Sequence, residues 1–106
     1  MKLYLVRPKT GVDATVEYDS QSKTFTVLKG SKVSSEIKHS EKFRGAKSIE
    51  KARGDGVVVD CIVTKNVVFK SSSTAANFVT GASTNGLEAW KNEAGESLKT
   101  ILAGKD

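Results

Sequence analysis

The chain has one cysteine, one proline, one histidine and one tryptophan in 106 residues, and each scarcity excludes something. A single cysteine, Cys61, cannot close an internal disulfide. It lies in the apolar run "VVVDCIVTKNVVF", so a buried thiol in a reducing compartment is expected. The only histidine, His39, sits in a polar stretch and gives no basis for a histidine-rich metal site or a Ser-His-Asp triad. Cys61 and His39 would act as nucleophile and base only if the fold brought them together, and a solvated loop histidine is the expected state. "GSKVSS" and "ARGDG" lack the glycine-to-lysine spacing of a phosphate loop. With no converging acid, base or metal set, neither catalysis nor a cofactor is expected. Long apolar runs are also missing. "MKLYLVRPKTG" has four consecutive apolar residues before Arg7 and Pro8, too few for a signal peptide or a membrane span, which points to a cytoplasmic protein without membrane contact.

What is present is the composition of an ordinary globular domain, with 38% hydrophobic and 27% charged residues. The length suits one domain, residues 1–106, with one core and no need of a covalent or metal staple. The net charge of +5 is unevenly placed. Through Arg53 there are twelve Lys/Arg against six Asp/Glu, and from Gly54 onward five against six. Lys29 to Arg53 alone holds eight basic and three acidic residues. Such asymmetry is the mark of a face that meets an anionic partner, or of a lysine-rich solvated surface.

Periodicity places the elements. "KLYLV" alternates Leu3 and Leu5 against Tyr4 and Val6, apolar on both sides, and reads as an inner strand. "DATVEY" and "TFTVLKG" set Ala14, Val16 and Tyr18 against Phe25 and Val27 across the polar "DSQSK", a hairpin. Gly30 to Ser40 reads as a loop with a short strand near Val33. From Glu41 to Arg53 the period becomes helical: Phe43, Ala46, Ile49 and Ala52 share one side, and Arg44, Lys47 and Lys51 fall opposite. Gly45 weakens this helix by about 1 kcal/mol relative to alanine, and "GDG" at 54–56 stops it. Val57 to Phe69 is strand, split in two by a turn or bulge at Lys65-Asn66.

The last third reads as packing and capping. Ser71 is an N-cap; Ala75, Ala76, Phe78 and Val79 form an apolar stripe, and Gly81 is placed to end the helix left-handed. Asn85-Gly86 suits a turn with positive φ, Trp90 returns an indole to the core, and Leu98, Ile101 and Leu102 give a final helix one apolar face. The sum is an α+β domain, a mainly antiparallel sheet of about five strands packed by about three helices.

The run Phe69-Lys70-Ser71-Ser72-Ser73-Thr74-Ala75-Ala76, then Gly81, Asn85-Gly86, Trp90-Lys91, Gly95 and Leu98, resembles the C-terminal motif of an uncharacterised prokaryotic domain family. That family is often appended to proteins with a GIY-YIG-type nuclease domain and is similar to the restriction-enzyme and adenine-methylase-associated (RAMA) domain. The resemblance covers about residues 14–102, with "FTVLKGS" and "KARGDGVV" fitting earlier segments. Two positions depart from the pattern: Ser72 stands where the family tends to have proline, and Asn66 where it tends to have an acidic residue. The resemblance implies an accessory module of nucleic-acid-processing or restriction-modification systems, beside a nuclease or methyltransferase, and implies no catalysis.

On this reading the partner is nucleic acid, DNA before RNA. Arg44, Lys47 and Lys51 would contact phosphates, with Arg53 and Lys29 extending the patch. Asn85, Trp90 and Lys91 would form a small reading site, an amide for adenine and an indole for an unpaired base. The plainer reading makes Trp90 a core residue and Asn85 a turn residue. The alternative function is a protein-interaction or dimerisation module, which an exposed sheet edge would favour.

Overall fold

The computed structural model describes residues 1–37 and 46–104. His39, Phe43, Arg44 and Gly45, with the start of the expected helix at Glu41, lie outside the described residues. Six strands form: β1 (Lys2–Arg7), β2 (Val12–Asp19), β3 (Thr24–Val27), β4 (Val58–Val59), β5 (Ile62–Val63) and β6 (Val67–Phe69). Four α-helices accompany them: α1 (Ala46–Arg53), α2 (Ser72–Thr80), α3 (Gly86–Ala89) and α4 (Leu98–Ala103). The fold is α+β. One antiparallel sheet has the order β1-β2-β3-β6, and β4-β5 is a second, two-stranded ladder.

The β2–β3 hairpin follows directly from its alternation. Val16 pairs with Val27 and Tyr18 with Phe25, and the two rings stack with centroids 4.8 Å apart. Ala14, Val16 and Val27 are wholly inaccessible, so one face of the hairpin is core and the other, with Asp13, Glu17 and Asp19, meets solvent. β1 is the outermost strand of its ladder rather than an inner one. Leu3 and Leu5 are buried, but Val6 is 59% exposed. The strand's second face, with Tyr4 and Val6, meets solvent, and only its edge has another neighbour: Tyr4 and Lys91 exchange backbone hydrogen bonds of 2.7 and 3.0 Å, so a later segment covers this edge at one residue.

The segment after β3 is more regular than a loop. Lys32 bridges Asp13 of β2 on one side and Ile62 of β5 on the other, and the Val33 N–H donates to the Cys61 carbonyl at 2.8 Å. Residues 24–33 thus form one bent path, with β6 alongside its first half and β5 alongside its second. The Lys29 N–H donates to Asn66 Oδ1 at 2.8 Å across the bend. The apolar run breaks at Lys65-Asn66, as expected, and also at Asp60-Cys61. Both residues there have positive φ, 51° and 64°, the conformation of a two-residue type I′ hairpin turn. Cys61 is therefore a half-buried turn residue and not a buried strand thiol.

α2 lies on the inner face of the sheet. Ala75, Ala76, Phe78 and Val79 are inaccessible, and the Phe78 ring meets Phe69 of β6 with centroids 5.1 Å apart. α1 packs on α2 through Ala46 and Ile49, and Trp90 and Leu98, both 0% exposed, close the core. Among the described residues no helix is long and apolar enough to cross a membrane.

Candidate nucleic-acid interface

α1 separates its two faces as its spacing requires. Ala46 and Ile49 are buried, while Lys47 and Lys51 are exposed one turn apart. Neither lysine has an ion-pair partner among the described residues. Arg53, two residues beyond Lys51, turns the opposite way. Its Nε and Nη2 donate to the Phe78 carbonyl at 2.9 and 2.7 Å, and its Nη1 donates to the Ser34 carbonyl at 2.8 Å. Nη2 also reaches Ser34 Oγ at 3.2 Å, and the guanidinium lies 5.9 Å from the centre of the Phe78 ring. Phe78 and Val79 are in the last turn of α2, whose carbonyls lack intrahelical donors and carry the negative end of the helix dipole. Arg53 satisfies that of Phe78, the Ser34 N–H donates to that of Val79 at 2.9 Å, and burial lowers the arginine's pKa from its ordinary value. It is a strut between α1, α2 and the Ser34 segment, and does not extend the basic face.

The closing segment behaves similarly. Ser71 caps α2 by accepting from the Thr74 N–H at 3.3 Å, and Gly81 ends it with φ 68°. Asn85 caps α3 by accepting from the Leu87 N–H at 3.1 Å. Neither Asn85, at φ −78°, nor Gly86 is left-handed. Gly86 is needed for a different reason: a Cβ there would overlap the backbone at Ser72 and Ser73. The Ser73 hydroxyl accepts from the Gly86 N–H at 3.1 Å. Trp90 offers no ring face to a base, being 0% exposed, and its indole N–H donates to the Ser72 carbonyl at 3.0 Å.

Asn85 and Lys91 do come together. Both line an open groove of about 530 Å³ between the β1 edge and the turns flanking α3, with Tyr4, Arg7, Glu88 and Glu93. The Tyr4 hydroxyl donates to the Glu93 carboxylate at 3.2 Å, and burial together with that carboxylate raises the tyrosine pKa. Lys29 is exposed and lines a smaller hollow of about 280 Å³ with Lys2 and Tyr4 on the solvent face of the sheet. Tyr4 and Arg7 are the groove residues that periodicity misses. The strand pattern marks their positions, but nothing local shows that residues 83–95 fold back against them. Among the described residues no group of three or more His, Cys, Asp or Glu side chains could hold a metal ion.

The architecture and the groove thus define a small α+β domain with two solvent-facing cationic positions on a short helix and a mixed-charge groove at a sheet edge. A family model described as a domain of unknown function, DUF4357, matches residues 3–102, and the chain belongs to that family. No curated protein and no solved structure matches the chain.

Proposed function

We propose that this domain is a non-enzymatic nucleic-acid-associated module that contacts DNA and works beside a nuclease or methyltransferase in a nuclease or restriction-modification system. The observation that carries this reading is the outer face of α1, where Lys47 and Lys51 are exposed and have no ion-pair partner among the described residues. Lysines so placed gain affinity for a phosphate backbone by releasing its condensed counterions. Arg44 belongs to the same face by spacing. The groove supplies a second set of groups, Arg7, Asn85 and Lys91, beside the carboxylates of Glu88 and Glu93 that also line it. The system context rests on the likeness of the Ser-Ala-Ala to Asn-Gly-Trp-Lys motif to GIY-YIG-associated and RAMA domains. So few charges bind weakly alone, and tethering to a larger enzyme would raise the effective concentration.

The test is binding of labelled duplex, single-stranded and adenine-methylated duplex DNA, with an RNA control, at low and high salt. The intact domain should bind duplex DNA with an affinity that falls with salt. The Lys47→Glu/Lys51→Glu variant should lower the log–log salt slope by roughly 2. Absence of binding by the intact domain at low salt would overturn the reading.

A second reading, a protein-interaction or dimerisation module without nucleic-acid contact, has a specific observation in its favour. Both outer strands of the main sheet have backbone groups, at Val6 and at Val68, without a partner among the described residues.

A further inference from the structure

The sheet register fixes which backbone groups point outward. The Leu28 N–H donates to the Thr15 carbonyl at 2.9 Å. In the β2–β3 register the bonded residues of β3 facing β2 are therefore Thr24 and Thr26, while Phe25 and Val27 turn towards β6. The pairs Phe25–Phe69 and Val27–Val67 then hold β6, and Val68, opposite Thr26, aims its N–H and C=O away from the sheet. No group among the described residues takes them. The Val68 side chain is 60% exposed, and Ile62 and Val59, exposed by 41% and 51%, lie on the same sheet face through the row Asp13–Lys32–Ile62–Val59. The opposite edge is shorter: Lys91 already occupies Tyr4 of β1, and Pro8, which has no N–H, follows Val6 by two residues.

We propose that β6 is a homodimerisation edge, where two copies pair antiparallel with Val68 opposite the same valine of the second copy and extend the sheet across a two-fold axis. The edge is complementary to itself in this register. Val68 is the outward residue of β6, and Asn66 and Lys70, which flank the strand, are exposed as it is while Val67 and Phe69 are half-buried; pairing centred on Val68 brings all three to the seam, whereas a slip of two residues brings only two. Phe69 then faces Val67, Lys70 faces Asn66 and Lys65 faces Ser71, so neither lysine of the edge is set against a lysine. Like charges directly opposite would weaken the pairing, and a contact in which each residue meets its counterpart reciprocally is the isologous geometry of closed dimers. Because the sheet continues through the axis, the helical layers of the two copies, each with its α1, lie on one side. The area is that of a weak interface, below about 1,200 Å². The proposal is independent of DNA binding.

Sedimentation equilibrium of the intact chain without nucleic acid, up to about 1 mM, tests it. Val68→Pro deletes the outward N–H and breaks no bond to β3, because an edge proline loses only the donor facing solvent. Val68→Lys instead sets two cations against each other. Both should raise the dimer dissociation constant at least about tenfold, with unchanged circular dichroism. Leu87→Lys, exposed elsewhere, should dimerise like wild type. If Val68→Pro disturbs the fold, Val68→Lys alone decides. A wild-type chain that stays monomeric throughout, or a dimer indifferent to Val68→Lys, overturns the proposal.

Discussion

The outer face of α1 and the closing segment from Phe69 to Leu102 use polar side chains in opposite ways. In the closing segment they are committed to the chain's own backbone: Ser71 to Thr74, Ser73 to Gly86, Asn77 to Thr84, Asn85 to Leu87 and Trp90 to Ser72. On α1, Lys47 and Lys51 reach solvent with no ion-pair partner among the described residues, and the change from one use to the other falls between Lys51 and Arg53. The most distinctive sequence motif is thus largely the way the domain shuts. The residues best suited to an external anion are among its least distinctive. A pattern is specific where geometry is tightly constrained, and a charged face needs only charge.

Substitutions can break this contrast, beginning with the core. Trp90→Ala should cost about 3–5 kcal/mol and, in a domain of ordinary marginal stability, leave a large unfolded fraction in denaturant titrations. Any loss of DNA affinity should track that fraction. A variant that remains folded but stops binding would give Trp90 a direct role. Arg53→Met should cost about 2–3 kcal/mol, since it strips charged donors from buried carbonyls. Arg53→Lys should recover little, because a lysine cannot reproduce the fork that reaches Phe78 and Ser34 together. Lys51→Ala, two residues earlier, should shift stability by less than about 0.5 kcal/mol and appear in the salt dependence of binding instead. Asn85→Ala should cost about 1 kcal/mol as a lost cap, and Asn85→Ser should restore most of it. If Asn85→Ser is as stable as wild type yet binds DNA less tightly, the amide has a role beyond capping.

The hairpin of β2 and β3 was legible because its signal is local: strict alternation on either side of a short polar turn. The helical face of α1 and the caps at Ser71 and Gly81 were legible for the same reason. The turn at Asp60-Cys61 was not, since it carries neither glycine nor asparagine and interrupts an unbroken β-branched run. The place of Gly86 was readable but its cause was not, because close approach to Ser72 is set by a helix that begins fourteen residues earlier. Arg53 was misjudged on similar grounds. Helical spacing gives the direction of a side chain, but its acceptors at Ser34 and Phe78 are 19 and 25 residues away in sequence. The groove at Asn85 and Lys91 depends on Tyr4, joined to Lys91 only by tertiary pairing.

The Tyr4–Lys91 bridge also sets an order of events for a chain emerging from the ribosome. β1 has its outer edge covered by a residue that is synthesised much later in the same domain, and Trp90, which seals the core, arrives beside it. A nascent chain can form the β2–β3 hairpin early, but it holds β1 with an uncovered edge until nearly the whole domain has been released. Closing so large a loop is slow, and during that interval the apolar face of the sheet is exposed to other nascent chains. A stop codon or a stall shortly before Trp90 would leave an aggregation-prone sheet, not a smaller folded domain.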